Sequence, residues 1–190
     1  MKGEWCYFKS YLSSDMCNKI IKDAQSIIPQ NASLGVYGEE SNNDVRRSKI
    51  RFISKDDWNF SYLFDILWKT ALQANDDFFN IHISKLDFIQ IAEYDSAYQG
   101  EYKDHHDVFW LNDDPFYHRK LTAVIQLSDP STYEGGNLEL AGTRFSPPAN
   151  ELREQGTIIY FPSLMVHRAC PVTAGIRYSV AAWFDGPKWR

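Results

Sequence analysis

Two residues in the stretch EYKDHHDVFW, His105 and Asp107, are of types that could share a metal ion. The run reads as a β-strand, in which residues two apart point to the same face. An imidazole and a carboxylate there could both reach one cation, but two protein ligands make a poor site and a third must come from elsewhere. Of the five histidines, His167 stands in the stretch FPSLMVHRACPVTAGIRYSVAAW, and Arg177 follows it ten residues later. Two histidines and one carboxylate on one side of a metal form the facial triad that suits non-haem Fe(II) and leaves adjacent positions open. An arginine between Ile176 and Tyr178 in an apolar strand needs a strong anionic partner to justify burial, and a second carboxylate would be one. His106 has the same chemistry as His105, but its side chain should point to the opposite face, with no carboxylate at the matching spacing. His82 and His118 fall at loop or strand-edge positions and read as surface residues.

These residues must be positioned by a fold, and the chain changes texture to supply it. From Ser13 to Ile28 apolar residues recur at helical spacing, with Ser13 or Ser14 as N-cap and Pro29 closing the run. Residues Asn31 to Val45 are rich in Gly, Ser, Asn and acids, and a loop of that length is usually functional, so it reads as a lid. Arg46 to Ile53 can form a strand, on which Arg46, Arg47, Lys49 and Arg51 read as a solvated basic face. Asn59 to Phe79 carries a second helical pattern. After Asn80 come short apolar or alternating runs at Phe88 to Tyr94, Tyr102 to Trp110, Leu121 to Leu127, Asn137 to Leu140, Thr157 to Phe161, Met165 to Arg168 and Arg177 to Phe184. Turn signals separate them, among them Asp113 to Pro115, Ser128 to Pro130, Glu134 to Gly136 and Ser146 to Pro148. Many short strands joined by turns indicate a sandwich or barrel. The expected fold is mainly β with supporting N-terminal helices, a jelly roll. One domain over 1–190 is expected, with helical support and lid in 1–85 and the jelly-roll core in 86–190. Gly135 and Gly136, without a following Lys-Ser/Thr and helix, read as a turn and not a phosphate loop. Trp183 and Tyr178 read as core aromatics.

Composition narrows the function classes. At 190 residues the chain is long enough for one sizeable core. A net charge of −5 gives no general basic field for nucleic acid or anionic membranes. Cys6, Cys17 and Cys170 are odd in number and lack a CxxC spacing, which suggests neither a disulfide framework nor a thiolate zinc site. No leader pattern and no run of 18 apolar residues stands in the sequence, so a cytoplasmic location is expected. The oligomeric state is left open.

Tyr94, YKDHHD from Tyr102, RKLTAVIQLSDPSTYEGGNLEL from Arg119 and VHRACPVTAGIRYSVAAWFDG from Val166 together resemble the 2-oxoglutarate, Fe(II)-dependent dioxygenases. The resemblance is to the prolyl 4-hydroxylase-like branch with its PKHD-type members, and it covers about 100 residues. It implies a double-stranded β-helix with the metal site in its mouth, with His105, Asp107 and His167 holding Fe(II) and Arg177 pairing with the far carboxylate of 2-oxoglutarate. An arginine suits that task because its planar fork binds a carboxylate bidentately and stays charged when buried. By the same resemblance Tyr94, and less firmly Gln126, contact the cosubstrate. Thr122, on one strand face with Val124 and Gln126, is a further lining candidate, and Trp183 stands near the substrate mouth. The activity implied is hydroxylation with O2, releasing succinate and CO2, with ascorbate as a candidate reductant. Asp107 favours hydroxylation over halogenation, since halogenating relatives carry a small residue there. A prolyl residue in a peptide or protein is the leading substrate. The alternatives are a free amino acid, small metabolite or alkylated nucleobase, for which Arg144 and Arg168 could hold the substrate's own charge, and a non-catalytic metal-binding jelly roll.

Overall fold

A computed structural model describes residues 3–31, 44–108, 110, 114–144 and 148–189. Its strands are β1 Cys6–Phe8, β2 Gln30–Asn31, β3 Arg46–Arg47, β4 Lys49–Ser54, β5 Phe88–Asp95, β6 Glu101–His105, β7 Tyr117–Gln126, β8 Tyr133–Gly135, β9 Leu138–Leu140, β10 Ile158–Pro162, β11 His167–Ala169 and β12 Val172–Pro187. They form two antiparallel sheets. The major sheet runs β1-β10-β7-β12-β5-β4-β2, with β8 pairing β12, and the minor sheet runs β3-β6-β11-β9. The expected jelly roll is the observed fold, with two long helices outside it.

Helix α1, Ser14–Ala24, starts where the Ser13 side chain accepts a hydrogen bond from the Met16 N–H, and it buries Cys17, Ile20 and Ala24 on one stripe. It ends four residues before the expected Ile28. Helix α2, Ser61–Ala74, buries Leu63, Phe64, Leu67 and Ala71, and a π-helical turn, Asn75–Phe79, extends it. Both helices cover one face of the major sheet. There Ile89, Ile91, Ile125, Val180 and Phe184 pack against Ile20, Leu63 and Leu67 as one continuous core. Truncating a wholly buried ring such as Phe184 to alanine would cost about 3–5 kcal/mol. The buried Tyr160 hydroxyl is satisfied by Thr70 Oγ1 at 2.7 Å and the Leu67 carbonyl at 3.1 Å. Among the described residues no helix is long and apolar enough to cross a membrane.

Alternation along the strands creates the other face. On β12, Val180, Ala182 and Phe184 belong to the helix-side core, so Arg177, Ser179, Ala181 and Trp183 point the opposite way, into a cavity closed by the minor sheet. The register Trp183↔Thr122 and Arg177↔Tyr94 sets β7 and β5 residues beside them.

The division expected at residue 85 is not one between helices and sheet. β1 pairs β10, β4 pairs β5 and β3 pairs β6, because the edges of both sheets need partners and the first half of the chain provides them. The expected lid, Asn31 to Val45, lies outside the described residues over 32–43. The basic face expected on Arg46 to Arg51 is also corrected, since Arg46 is 7% and Arg51 6% exposed. Arg51 is buried against the Glu93 carboxylate at 3.1 Å, and Arg46 turns into the cavity wall. His118, expected at the surface, is buried at the start of β7, where its Nδ1 accepts the Trp189 N–H.

Candidate metal centre

His105 closes β6 and His167 opens β11, and antiparallel pairing sets the two directly opposite each other. Their ring centroids are 4.2 Å apart. Asp107 joins them differently from the expectation. The strand expected to run on to Trp110 ends at His105, and Asp107 lies in the turn beyond it, where its N–H donates to the Ser163 carbonyl at 2.9 Å. The turn swings the carboxylate inward, so that Asp107 Oδ1 is 3.7 Å from His105 Nε2 and Oδ2 is 3.5 Å from His167 Nε2. One ligand atom from each of the three residues lies within 4.8 Å of the others.

The hydrogen bonds around this cluster decide which atoms are available. His105 Nδ1 is 2.7 Å from the Lys103 carbonyl and His167 Nδ1 is 2.9 Å from the Met165 carbonyl. A carbonyl can only accept, so each Nδ1 carries the proton and each Nε2 presents its lone pair toward Asp107. Thr122 Oγ1 donates to Asp107 Oδ2 at 2.8 Å and lies 2.9 Å from Ser163 Oγ, which leaves Oδ1 for a cation. Burial, reinforced by His167, holds the His105 imidazole down to about 4, so it is neutral near pH 7. Burial would raise the Asp107 carboxyl, but its neighbours His167, Arg119 and His105 and the Thr122 hydrogen bond hold it below the ordinary carboxylate range. Two imidazoles whose Nδ1–H groups are held by backbone carbonyls and whose Nε2 atoms face one carboxylate make a donor set that suits a hard or borderline divalent ion such as Fe(II). Tyr102 stacks on His105 with centroids 3.4 Å apart, and Phe161 flanks His167 at 4.7 Å.

Across the cavity Arg177 is 2% exposed. Its Nε and Nη2 donate to Gln126 Oε1 at 3.2 and 2.9 Å, and the Tyr94 ring lies 5.3 Å from its Cζ. Among the described residues no carboxylate pairs with it, so a buried cation faces the cavity with hydrogen-bond donors to spare. Backbone geometry keeps this space open. At Gly136, with φ +63°, an added Cβ would stand 2.9 Å from Arg177 Cδ. The turn read from Gly135 and Gly136 therefore also makes room for the arginine.

Of the remaining candidates, Thr122, Tyr94 and Trp183 line the same cavity. The Trp183 Nε1–H is buried with no acceptor among the described residues. Arg144 and Arg168 do not line it: both are exposed, Arg168 pairing with Glu139 at 2.6 Å. His106, just past the end of β6, is exposed. Among the wall residues that sequence reading missed are Arg46 and Tyr102, whose cation and ring lie 4.4 Å apart; it also missed Arg119, whose Cζ sits 3.9 Å over Trp183. The signal for Arg46 is faint. In a two-residue strand separated from the next by Ser48 alone, alternation does not say which of Arg46 and Arg47 faces in.

The model of the 2OG-Fe(II) oxygenase superfamily matches residues 89–185, which include every residue of this cluster and Arg177. A PKHD-type hydroxylase of Aliarcobacter butzleri is 31% identical over 130 residues, 66% of this chain and 55% of that protein. A PKHD-type hydroxylase of Synechococcus sp. is 38% identical over 65 residues, 34% of this chain and 29% of that protein. The chain thus spans about half or less of the length of these curated relatives. Among solved structures, a Pseudomonas putida prolyl-4-hydroxylase superposes with a TM-score of 0.72 at 18% identity, covering 96% of this chain and 92% of that one. A Trichoplax adhaerens prolyl hydroxylase, solved in complex with a hypoxia inducible factor peptide fragment, gives 0.73 at 21% identity over 96% and 83%. At that identity the likeness is one of fold.

Proposed function

We propose, from the premise that this chain belongs to the 2OG-Fe(II) oxygenase superfamily, that it is a 2-oxoglutarate- and Fe(II)-dependent hydroxylase acting on a prolyl residue of a peptide or protein. The observation that carries the reading is the pairing of a tautomer-fixed His105, Asp107, His167 cluster with a buried Arg177 that meets no carboxylate among the described residues, across one cavity. His105 Nε2, His167 Nε2 and an Asp107 oxygen would hold the metal, and Arg177 would hold the far carboxylate of the keto acid. Bound there, Fe(II) and 2-oxoglutarate supply O2 activation: O2 is reduced, the keto acid is oxidised to succinate and CO2, and one oxygen atom enters a substrate C–H bond.

The chain's own residues bind and orient. Gln126 takes one hydrogen each from Arg177 Nε and Nη2 and fixes the guanidinium plane. The hydrogens on Nη1 and the second on Nη2 are left for a carboxylate. Thr122 holds the Asp107 carboxylate in one rotamer, and the two backbone carbonyls do the same for the imidazoles. Tyr102, Phe161 and Trp183 wall the site and exclude water, which strengthens each charge interaction inside it.

The prolyl substrate is supported by the names of the two solved structures of like fold and by the peptide bound to the Trichoplax protein. A free amino acid or small carboxylic acid is the second reading, and Arg46 favours it. This guanidinium in the cavity wall is bonded to Ser48 and stacked on Tyr102. The test is incubation of the Fe(II)-loaded protein with 2-oxoglutarate, O2 and proline-containing peptides. Expected is a mass gain of one oxygen on proline with matching succinate. Hydroxylation of free amino acids with no peptide product would move the assignment to the second reading.

A further inference from the structure

The cavity floor continues past the metal cluster as an aromatic shelf. On β5, Gln90, Ala92 and Tyr94 line the cavity, so Phe88, two residues before Gln90, shares their face. On β4, Ile50 packs with Ala92 and Tyr94, which sets Phe52 on the same face. The rings then run outward from the cavity: Trp183 to Phe88 at 5.9 Å and Phe88 to Phe52 at 5.8 Å, with Arg119 over Trp183 and 5.8 Å from Phe88. Phe52, at the outer end, is 47% exposed. One exposed phenylalanine would mean nothing by itself. This one ends a contiguous ring track whose inner member lines the cavity and carries a buried indole N–H with no acceptor among the described residues.

Resting on the peptide reading given above, we infer that the Phe52–Phe88 shelf selects a large apolar side chain of the substrate peptide, on one side of the hydroxylated residue. An extended chain advances ~3.3 Å per residue, so each ring-to-ring step corresponds to roughly two residues. The apolar side chain therefore belongs roughly two to four residues from the reacting one. In this arrangement Arg119 borders the track, which disfavours a lysine or arginine at the same offset. Phe52 is a specificity-determining residue and has no part in the chemistry.

The probe is a synthetic library with one central proline and four randomised residues on each side, treated with Fe(II)-loaded protein, 2-oxoglutarate and O2 and read by mass spectrometry. Hydroxylated members should be enriched in Leu, Ile, Met or Phe at a single offset. For two purified peptides differing only in Leu or Ser at that offset, the kcat/KM ratio should be on the order of 10. Phe52→Ala should bring the ratio close to one. Because both peptides are measured on the same variant, partial misfolding cannot mimic this loss. Hydroxylation without side-chain preference, or a preference unchanged in Phe52→Ala, overturns the shelf. No hydroxylated member at all, from a protein that binds 2-oxoglutarate, overturns the peptide reading and the shelf with it.

Discussion

Replacing Arg177 by Lys and by Met separates the cosubstrate site from the metal site. Arg177 is buried, and Gln126 occupies only part of its fork, so two charge-assisted hydrogen bonds remain for a ligand carboxylate. Each is worth ~1.5–3 kcal/mol. Lysine keeps the charge and one such bond, which predicts a loss of about 2 kcal/mol, roughly 30-fold in the Kd for 2-oxoglutarate. Methionine fills similar volume and removes both bonds and the charge, predicting about 4 kcal/mol or roughly a thousandfold. The assay is calorimetric titration of 2-oxoglutarate into Mn(II)-loaded protein without O2, with the Mn(II) affinity measured separately. Both variants should keep that metal affinity, since Arg177 lies across the cavity from the cluster. A Met variant that binds 2-oxoglutarate within about threefold of wild type would refute the assignment of Arg177.

Three further outcomes follow from the same geometry. Thr122→Val removes the hydrogen bond that fixes Asp107 Oδ2, and metal affinity should fall by about 10- to 100-fold while the fold, read by circular dichroism, is kept. Gly136→Ala places a Cβ against Arg177 Cδ at a backbone φ of +63°, so it should raise the Kd for 2-oxoglutarate and lower thermal stability by more than about 1 kcal/mol; unchanged binding would show that Arg177 does not need that space. Burial pushes the Cys6 thiol up to about 12 and Cys17 up to about 11, so a thiol-exchange reagent at pH 8 should modify at most Cys170 in the native protein and all three cysteines after unfolding.

What the sequence made legible follows the length of each signal. The strand pattern after Asn80 is repeated many times, and it led correctly to the jelly roll. Arg177 stood out because a charge inside an apolar strand is physically costly, and His167 because it sits in a similar run. Asp107 does lie beside the two histidines, but strand parity is not what puts it there: a turn held by the Ser163 carbonyl delivers it. Turn geometry of that kind depends on a partner 56 residues away in the chain, and no local pattern encodes it. The same limit explains Arg46. Its face depends on β3 pairing with β6, which places it against Tyr102, and the surrounding basic residues suggest solvent instead. His118 was misjudged because burial at a strand end depends on the Trp189 backbone returning to cover it.

On the proposed function, His105, Asp107 and His167 hold an iron to which 2-oxoglutarate binds, with Arg177 as its anchor. Anaerobic absorbance of the Fe(II)-loaded protein, with and without 2-oxoglutarate, tests it most directly, because a keto acid chelating ferrous iron gives a weak visible charge-transfer band. The band should appear in wild type, vanish in His167→Ala, and require far more 2-oxoglutarate in Arg177→Met. A wild-type protein that binds Fe(II) without the band, or a band undiminished in His167→Ala, would contradict the account.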